Sequence, residues 1–304
     1  MSAAITGVFN ILATPFDMDD QIDIPSLRKL VDFQIRCGAY GLTILGVLGE
    51  ASKLTVDERK LVVATVMEAN AGRVPVVVGT SHQTTATCIQ LSNNAIAAGA
   101  TGVMISPPRF DKVTDDKIVA FYEEVANAYS APIVVQDFPP VNDVIMSPDV
   151  LATLANRIPN IRHLKLEDPP LMQKITAIRE RTNLYEIFGG LGGMFFLEEL
   201  KRGAAGTMTG FAFTEILVAV YKAFNAGQVK DAERIFDHYL PLIRFENQPV
   251  INLSIRKELL RRRGVIATAR LRQPYVGIDY ETREEIPWIL RRVGIVDPTR
   301  PALQ

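Results

Sequence analysis

Ile133-Val134-Val135-Gln136-Asp137 opens on three consecutive β-branched residues and closes on two polar ones. A strand covered on one face alternates apolar with polar, whereas an unbroken apolar run suits a parallel strand covered on both faces. Runs of the same kind recur along the chain. We read strands at Val8–Ala13, Gly41–Leu45, Val74–Val78, Gly102–Ser106, Ile133–Asp137, Ile161–Leu166, Leu184–Phe188 and Ala205–Thr209. Stretches of helical periodicity separate them, among them Ile24–Cys37, Thr55–Asn70, Thr84–Ala98 and Asp115–Ala128. Strand starts lie roughly 20 to 35 residues apart, the length of a βα unit. Eight units of that length predict an α/β fold, a (β/α)8 TIM barrel, which usually takes ~250 residues. A doubly wound eight-stranded sheet is the alternative.

From about Ala226 the pattern is helical only, over Lys230–Arg244, Pro249–Arg263 and Arg283–Val293. The expected organisation is therefore a barrel over residues 1–225 and a C-terminal helical appendage over 226–304, packed on the barrel. Arg256-Lys257 and Arg261-Arg262-Arg263 read as a solvated helix face balanced by nearby acids, with a nucleic-acid patch as the alternative.

Composition narrows the function classes. The 304 residues carry 33 Lys+Arg against 34 Asp+Glu, a formal net charge of −1, without the basic balance of a nucleic-acid binder. Two cysteines, Cys37 and Cys88, are too few for a disulfide framework and suggest a reducing compartment. No apolar run reaches the ~18 residues that cross a bilayer. The N-terminal MSAAITGVFNILATPFD lacks a basic region and meets Pro15 early, unlike a signal peptide. A soluble, cytoplasmic protein acting on a small molecule, with neither membrane nor nucleic acid as partner, is the expectation.

In a barrel the chemistry gathers where strands end at their C-terminal side. Strand six, Ile161-Arg162-His163-Leu164-Lys165-Leu166-Glu167, carries a lysine inside an apolar run. Period-two alternation groups Ile161, His163, Lys165 and Glu167 on one face, with Leu164 and Leu166 on the other. If the leucines face the helices, Lys165 points into the barrel near its mouth. A buried ammonium must be paired or lose its proton, and a neutral lysine attacks carbonyl carbon to form a Schiff base. The structural alternative is an ion pair of Lys165 with Glu50 or Glu167 that only joins strands.

Other strand ends add candidates. Gly46-Val47-Leu48-Gly49-Glu50 is a turn whose exposed N–H groups could hold a carboxylate, or an ordinary βα turn. Gln136 and Asp137 offer a donor, an acceptor and a general base, unless they merely cap the strand before Pro139-Pro140. His82 falls at the end of strand three, as a catalyst or as a helix-start contact, and His163 reads as a core histidine bonded inside the barrel. His238 lies far off, so no histidine cluster and no metal site are predicted. The loops Phe188-Gly189-Gly190-Leu191-Gly192-Gly193 and Gly206-Thr207-Met208-Thr209-Gly210 occupy places where many barrels bind phosphate. They hold no basic residue, and Phe195 stands where a dinucleotide fingerprint needs its third glycine.

Taken together, G-x-x-G-E after strand two, a motif ending in Pro after strand five and a lysine on strand six resemble a known family. They are similar to the pyruvate-dependent class I aldolases of the dihydrodipicolinate synthase and N-acetylneuraminate lyase superfamily, from Thr14-Pro15-Phe16 through the C-terminal helices. The resemblance implies that Lys165 forms the Schiff base with a 2-keto acid. It implies that Val47 and Leu48 bind the carboxylate, chiefly through backbone N–H, and that the Met208 carbonyl and Gly189 lie at the substrate. It implies no cofactor, and a homo-oligomer, often a tetramer.

The departures bear on substrate. Dihydrodipicolinate synthases carry two threonines where this chain has Val47-Leu48. The strand-five tyrosine and asparagine are Gln136 and Asp137, the arginine for the second substrate is Val141, and paired tyrosines after strand four align with Pro108 and Arg109. Val135-Gln136-Asp137-Phe138-Pro139, Lys165-Leu166-Glu167-Asp168-Pro169, Gly203–Gly210, Glu246-Asn247 and His82 instead resemble L-2-keto-3-deoxyarabonate dehydratases. That branch dehydrates a 2-keto-3-deoxy sugar acid to a 2-oxo semialdehyde. With no positioned tyrosine, Asp137 and Glu167 are the expected proton carriers and Glu50 a structural acid. The predicted catalytic set is Lys165, Asp137, Gln136 and Glu167; the substrate-binding set is Val47, Leu48, His82, Gly189 and Met208. Pyruvate-releasing aldol cleavage, a non-catalytic 2-keto-acid-binding barrel and a phosphate or flavin barrel are the alternatives.

Overall fold

The computed structural model describes residues 4–303. Eight parallel strands close into a barrel in chain order: β1 (Gly7–Ile11), β2 (Gly41–Ile44), β3 (Val76–Gly79), β4 (Gly102–Ile105), β5 (Ile133–Asp137), β6 (Ile161–Leu166), β7 (Glu186–Gly189) and β8 (Gly206–Thr209). β8 pairs with β1, which excludes the open doubly wound sheet. β3 begins later than Val74 because that residue is spent on a turn. Asn70 accepts from the Val74 N–H and donates to its carbonyl.

Helices cover the barrel: α1 (Ile24–Arg36), α2 (Val56–Asn70), α3 (Thr85–Ala97), α4 (Asp115–Asn127), the short α5 (Pro139–Asn142), α6 (Pro148–Arg157), α7 (Leu171–Arg179), α8 (Phe196–Lys201) and α9 (Thr214–Asn225). Their starts follow from local chemistry. Thr55 and Glu58 form a reciprocal capping box on α2, while Thr84, Thr114 and Ser147 cap α3, α4 and α6. The strands then divide two apolar layers. Phe9, Ile11, Val77, Met104, Val134, Phe188 and Met208 fill the barrel, while Val8, Ile44, Val135, Leu164 and Ile187 face the helices.

Strand β6 departs from simple alternation. Its register against β5 slips between Ile133 and Val134, opposite Ile161 and His163. Ile161 therefore joins the helix-facing layer instead of sharing a face with Lys165. The extra residue is Arg162, whose Nη1 donates to the carbonyls of Ala155, Ile158 and Ile161. A bulge of this kind re-aims the side chains beyond it. Past it the alternation holds, with Leu164 and Leu166 outward.

Three further helices follow, α10 (Val229–Glu246), α11 (Asn252–Arg262) and α12 (Tyr280–Arg292). Phe236, Leu242, Leu259 and Ile289 enter the same apolar layer as the barrel helices. The basic run is not a solvated face. Arg256 and Lys257 are fully buried on Glu246 and Glu50, and Arg263 is buried on Glu215. Only Arg261 and Arg262 behave as expected, pairing locally with Glu258. Among the described residues no helix is long and apolar enough to cross a membrane.

Candidate active site

At the C-terminal ends of the strands lies a cavity of about 730 Å³. Val47, Leu48, Gln136, Lys165, Glu167 and Met208 line it together, although they come from four parts of the chain. Lys165 Nζ stands 2.7 Å from the Glu167 carboxylate, and both side chains are buried. Of the two pairings considered for Lys165, the structure forms this one, inside the cavity wall. Gln136, opposite Lys165 in the β5–β6 register, donates from Nε2 to Glu167 Oε2 at 3.1 Å. Glu167 also packs against the backbone of Gly190: a Cβ there would lie 2.5 Å from its Oε1. That clash is one physical reason for a glycine in the loop after β7.

The G-x-x-G-E segment makes a single 3-10 turn over Val47–Gly49, whose closing bonds run from Gly49 N–H to Gly46 and from Glu50 N–H to Val47. The Val47 and Leu48 N–H groups open that turn. Glu50 anchors it from below. Its carboxylate takes Lys257 Nζ at 2.6 Å, Lys53 Nζ at 3.0 Å and the Arg272 N–H at 3.1 Å. Burial pushes Lys257 down to about 8 against the pull of Glu50, and its ammonium sits 4.4 Å over the Phe16 ring. Glu50 is thus held by three partners at the base of the turn.

Three predicted residues do not line this cavity. Asp137 is one step past Gln136 and so points to the helix side, paired in register with outward Leu166. It is fully buried beside Lys174 Nζ at 2.6 Å, off the hydrogen-bonding direction, and Asp168 holds the same ammonium at 2.6 Å. Burial raises Asp137 to about 6 against the pull of Lys174. His82 borders an adjacent depression of about 500 Å³ that shares Val47, Ser52 and Gln136 with the main cavity. Its Nδ1 takes the Thr84 N–H at 3.2 Å, a helix-start contact. Gly189 lies under Glu199, whose Oε2 would be 1.7 Å from a Cβ at that position. Its lack of a side chain serves that buried acid, not the cavity. Burial lifts Glu199 to about 8, with repulsion from Glu167 adding to it.

His163 departs from the expected bonded core histidine. Its Nδ1 is buried without a hydrogen-bond partner among the described residues, and burial lowers it to about 4. It lines a depression at the opposite end of the barrel, with Tyr129, Pro159 and Arg162.

Residues of the C-terminal helices, which sequence reasoning did not place at the site, complete the wall: Arg244, Asn247 and Arg256. Asn247 donates to the Leu191 carbonyl at 2.8 Å and presses on Gly192, at φ 69°, where a Cβ would lie 2.4 Å from its Cγ. The adjacent Glu246-Asn247 was the one available signal. Chemically, the arrangement offers an amine, a carboxylate within its reach, an amide that fixes the carboxylate, and backbone donors for an anion. Among the described residues no group of three His, Cys, Asp or Glu stands ready for a metal.

Comparison with known proteins agrees with this fold. The model of the dihydrodipicolinate synthetase family matches residues 4–293. The L-2-keto-3-deoxyarabonate dehydratase of Azospirillum brasilense is 35% identical over 292 residues, covering 94% of each chain. A protein of Escherichia coli (strain K12), YagE, provisionally named a 2-dehydro-3-deoxy-D-gluconate aldolase, is 34% identical over 298 residues, covering 97% of this chain and 99% of its own. The crystal structure of dihydrodipicolinate synthase from Rhodopseudomonas palustris superposes with a TM-score of 0.90 at 36% identity, covering 96% of this chain and 99% of that one.

Proposed function

Because the chain belongs to the dihydrodipicolinate synthetase family, whose enzymes are lyases and aldolases, we propose that it dehydrates a 2-keto-3-deoxy sugar acid through a Schiff base on Lys165. The observation that carries this reading is the Lys165–Glu167–Gln136 array in the cavity wall, with an amide at the position where the resemblance gives dihydrodipicolinate synthases a tyrosine.

Lys165 Nζ adds to the C2 carbonyl and the carbinolamine loses water, leaving an iminium that acidifies the C3 protons. Glu167 stands 2.7 Å from the nitrogen that becomes this iminium, and so borders C3. It takes a C3 proton as general base, and the enamine expels the C4 hydroxyl, which leaves as water with a proton returned by Glu167. Proton transfer between carbons and hydrolysis of the imine release Lys165. Gln136 holds the Glu167 carboxylate in place and cannot itself carry protons. Val47 and Leu48 receive the carboxylate, and the Met208 carbonyl borders C2. Asp137 has no part in these steps, because it lies on the other side of β5.

Aldol cleavage is the second reading, favoured by the E. coli relative. It needs a base on the C4 hydroxyl, and the tyrosine lining the cavity is Tyr275, which is 42% exposed and comes from outside the barrel. Intact-protein mass spectrometry after pyruvate and borohydride tests the Schiff base. Wild type should gain one reduced adduct and Lys165→Ala none. Products then separate the readings: dehydration keeps the carbon chain, while cleavage yields pyruvate and an aldehyde. Ligand binding with no adduct would leave only a binding barrel. By family resemblance the working form is a cytoplasmic homotetramer, and a monomeric mass in light scattering would contradict the assembly.

A further inference from the structure

The turn proposed to seat the substrate carboxylate brings only apolar side chains, Val47 and Leu48. The nearby lysines are engaged: Lys165 with Glu167, and Lys53 and Lys257 with Glu50. Arg256, on α11, is different. Its side chain is 1% exposed, and Nε donates to Glu246 at 2.6 Å. Glu246 is itself pinned by the Ala212 N–H at 3.0 Å, so the guanidinium cannot swing freely. Nη1 is buried and has no hydrogen-bond partner among the described residues.

Its position is informative. A Cβ on Gly210 would lie 3.0 Å from Arg256 Nη1 and 2.9 Å from Leu48 Cδ1. Arg256 and Leu48 therefore meet over one glycine just past β8. Thr209, the preceding residue, has a buried Oγ1 that is likewise without a partner. Arg256, Thr209 and Leu48 all line the cavity. A buried donor without an acceptor is costly, and guanidinium matches a carboxylate in shape and charge.

We infer that Arg256 is a specificity residue that recognises the carboxylate of the 2-keto acid held at Val47 and Leu48. It replaces with a charge from the C-terminal helices the donors that apolar side chains on the turn do not supply. The inference rests on the Schiff-base reading above.

Borohydride trapping on Lys165, followed by intact mass against probe concentration, tests it with pyruvate and with uncharged pyruvamide. Arg256→Lys keeps a cation for Glu246 but removes the guanidinium; Arg256→Met with Glu246→Gln removes both buried charges. The half-saturating concentration of pyruvate should rise by about tenfold or more in the double variant, the loss of a charge-assisted bond, with pyruvamide moving less than about twofold. Arg256→Lys should fall between. Equal shifts for both probes, or none in either variant, would overturn the assignment while leaving the Schiff base standing. A wild type that traps neither probe would overturn both.

Discussion

Glu167 sits 2.7 Å from Lys165, two residues further along the chain and just past β6, and both line the cavity. A pair that served only to join strands would have no need of a cavity wall. Here the carboxylate stands beside the atom that would become the iminium nitrogen, held by Gln136 from the neighbouring strand.

Glu167→Gln should separate capture from turnover. The amide keeps the shape and can still contact Gln136, but it cannot accept a proton. Turnover on a keto-deoxy sugar acid is expected to fall by about 10²–10⁴, the usual worth of a general base. The borohydride-trapped pyruvate adduct should persist. Unchanged turnover would remove Glu167 from the chemistry.

Gly190→Ala probes the same carboxylate from behind. Its Cβ would lie 2.5 Å from Glu167 Oε1 and Cγ, so the side chain must shift. Misplacement on this scale is expected to cost about a hundredfold in rate while the fold survives. Kinetics beside a thermal melt distinguish the two effects.

Asp137→Asn should do the opposite. The carboxylate faces Lys174 and not the cavity, so turnover should hold; because burial outweighs the pull of Lys174, which keeps Asp168, stability at pH 7 should stay level or rise with the neutral amide. Urea titration beside steady-state kinetics reads both; a sharp loss of turnover would return Asp137 to the mechanism.

Glu199→Gln predicts a pH effect. Burial raises this acid in the folded chain to about 8, so the native state holds a proton that the unfolded chain gives up near 4.5. Its contribution is present in full below 4.5 and is lost as pH rises through 8, at up to about 1.4 kcal/mol per pH unit. The Gln variant should lose stability less steeply over that window. Denaturation midpoints at pH 5, 7 and 9 would show parallel curves if the acid were not buried as described.

Lys257→Met leaves Glu50 with Lys53 and the Arg272 N–H alone. A loss of about 3 kcal/mol is expected, the low end for breaking a buried pair, because two partners remain. The half-saturating substrate concentration should also rise as the Val47–Gly49 turn loosens. A melt unchanged from wild type would contradict the anchor.

The barrel was legible because each strand announces itself locally, and the lysine stands out against the apolar run around it. Which of Gln136 and Asp137 faces inward was not resolved by their shared place at a strand end. That follows from Val134, which the structure puts inside, and the alternation that runs from it. The bulge at Arg162 was hidden because its cause lies in carbonyls at the end of α6. Arg256 and Lys257 looked like surface charge because their partners are invisible to local spacing. Glu50 and Lys257 are 207 residues apart in the chain.

That separation has a temporal consequence. All eight strands can leave the ribosome and begin to pair before Lys257 and Arg272 have been synthesised, since domains fold as the chain emerges. Until then the Val47–Gly49 turn lacks much of its anchor and Glu50 has Lys53 alone as counter-charge. The nascent barrel would carry the Lys165–Glu167 pair without a fully anchored anion seat. Competence to hold a keto acid would therefore arrive late in synthesis, when the last helices dock and the pocket acquires its floor.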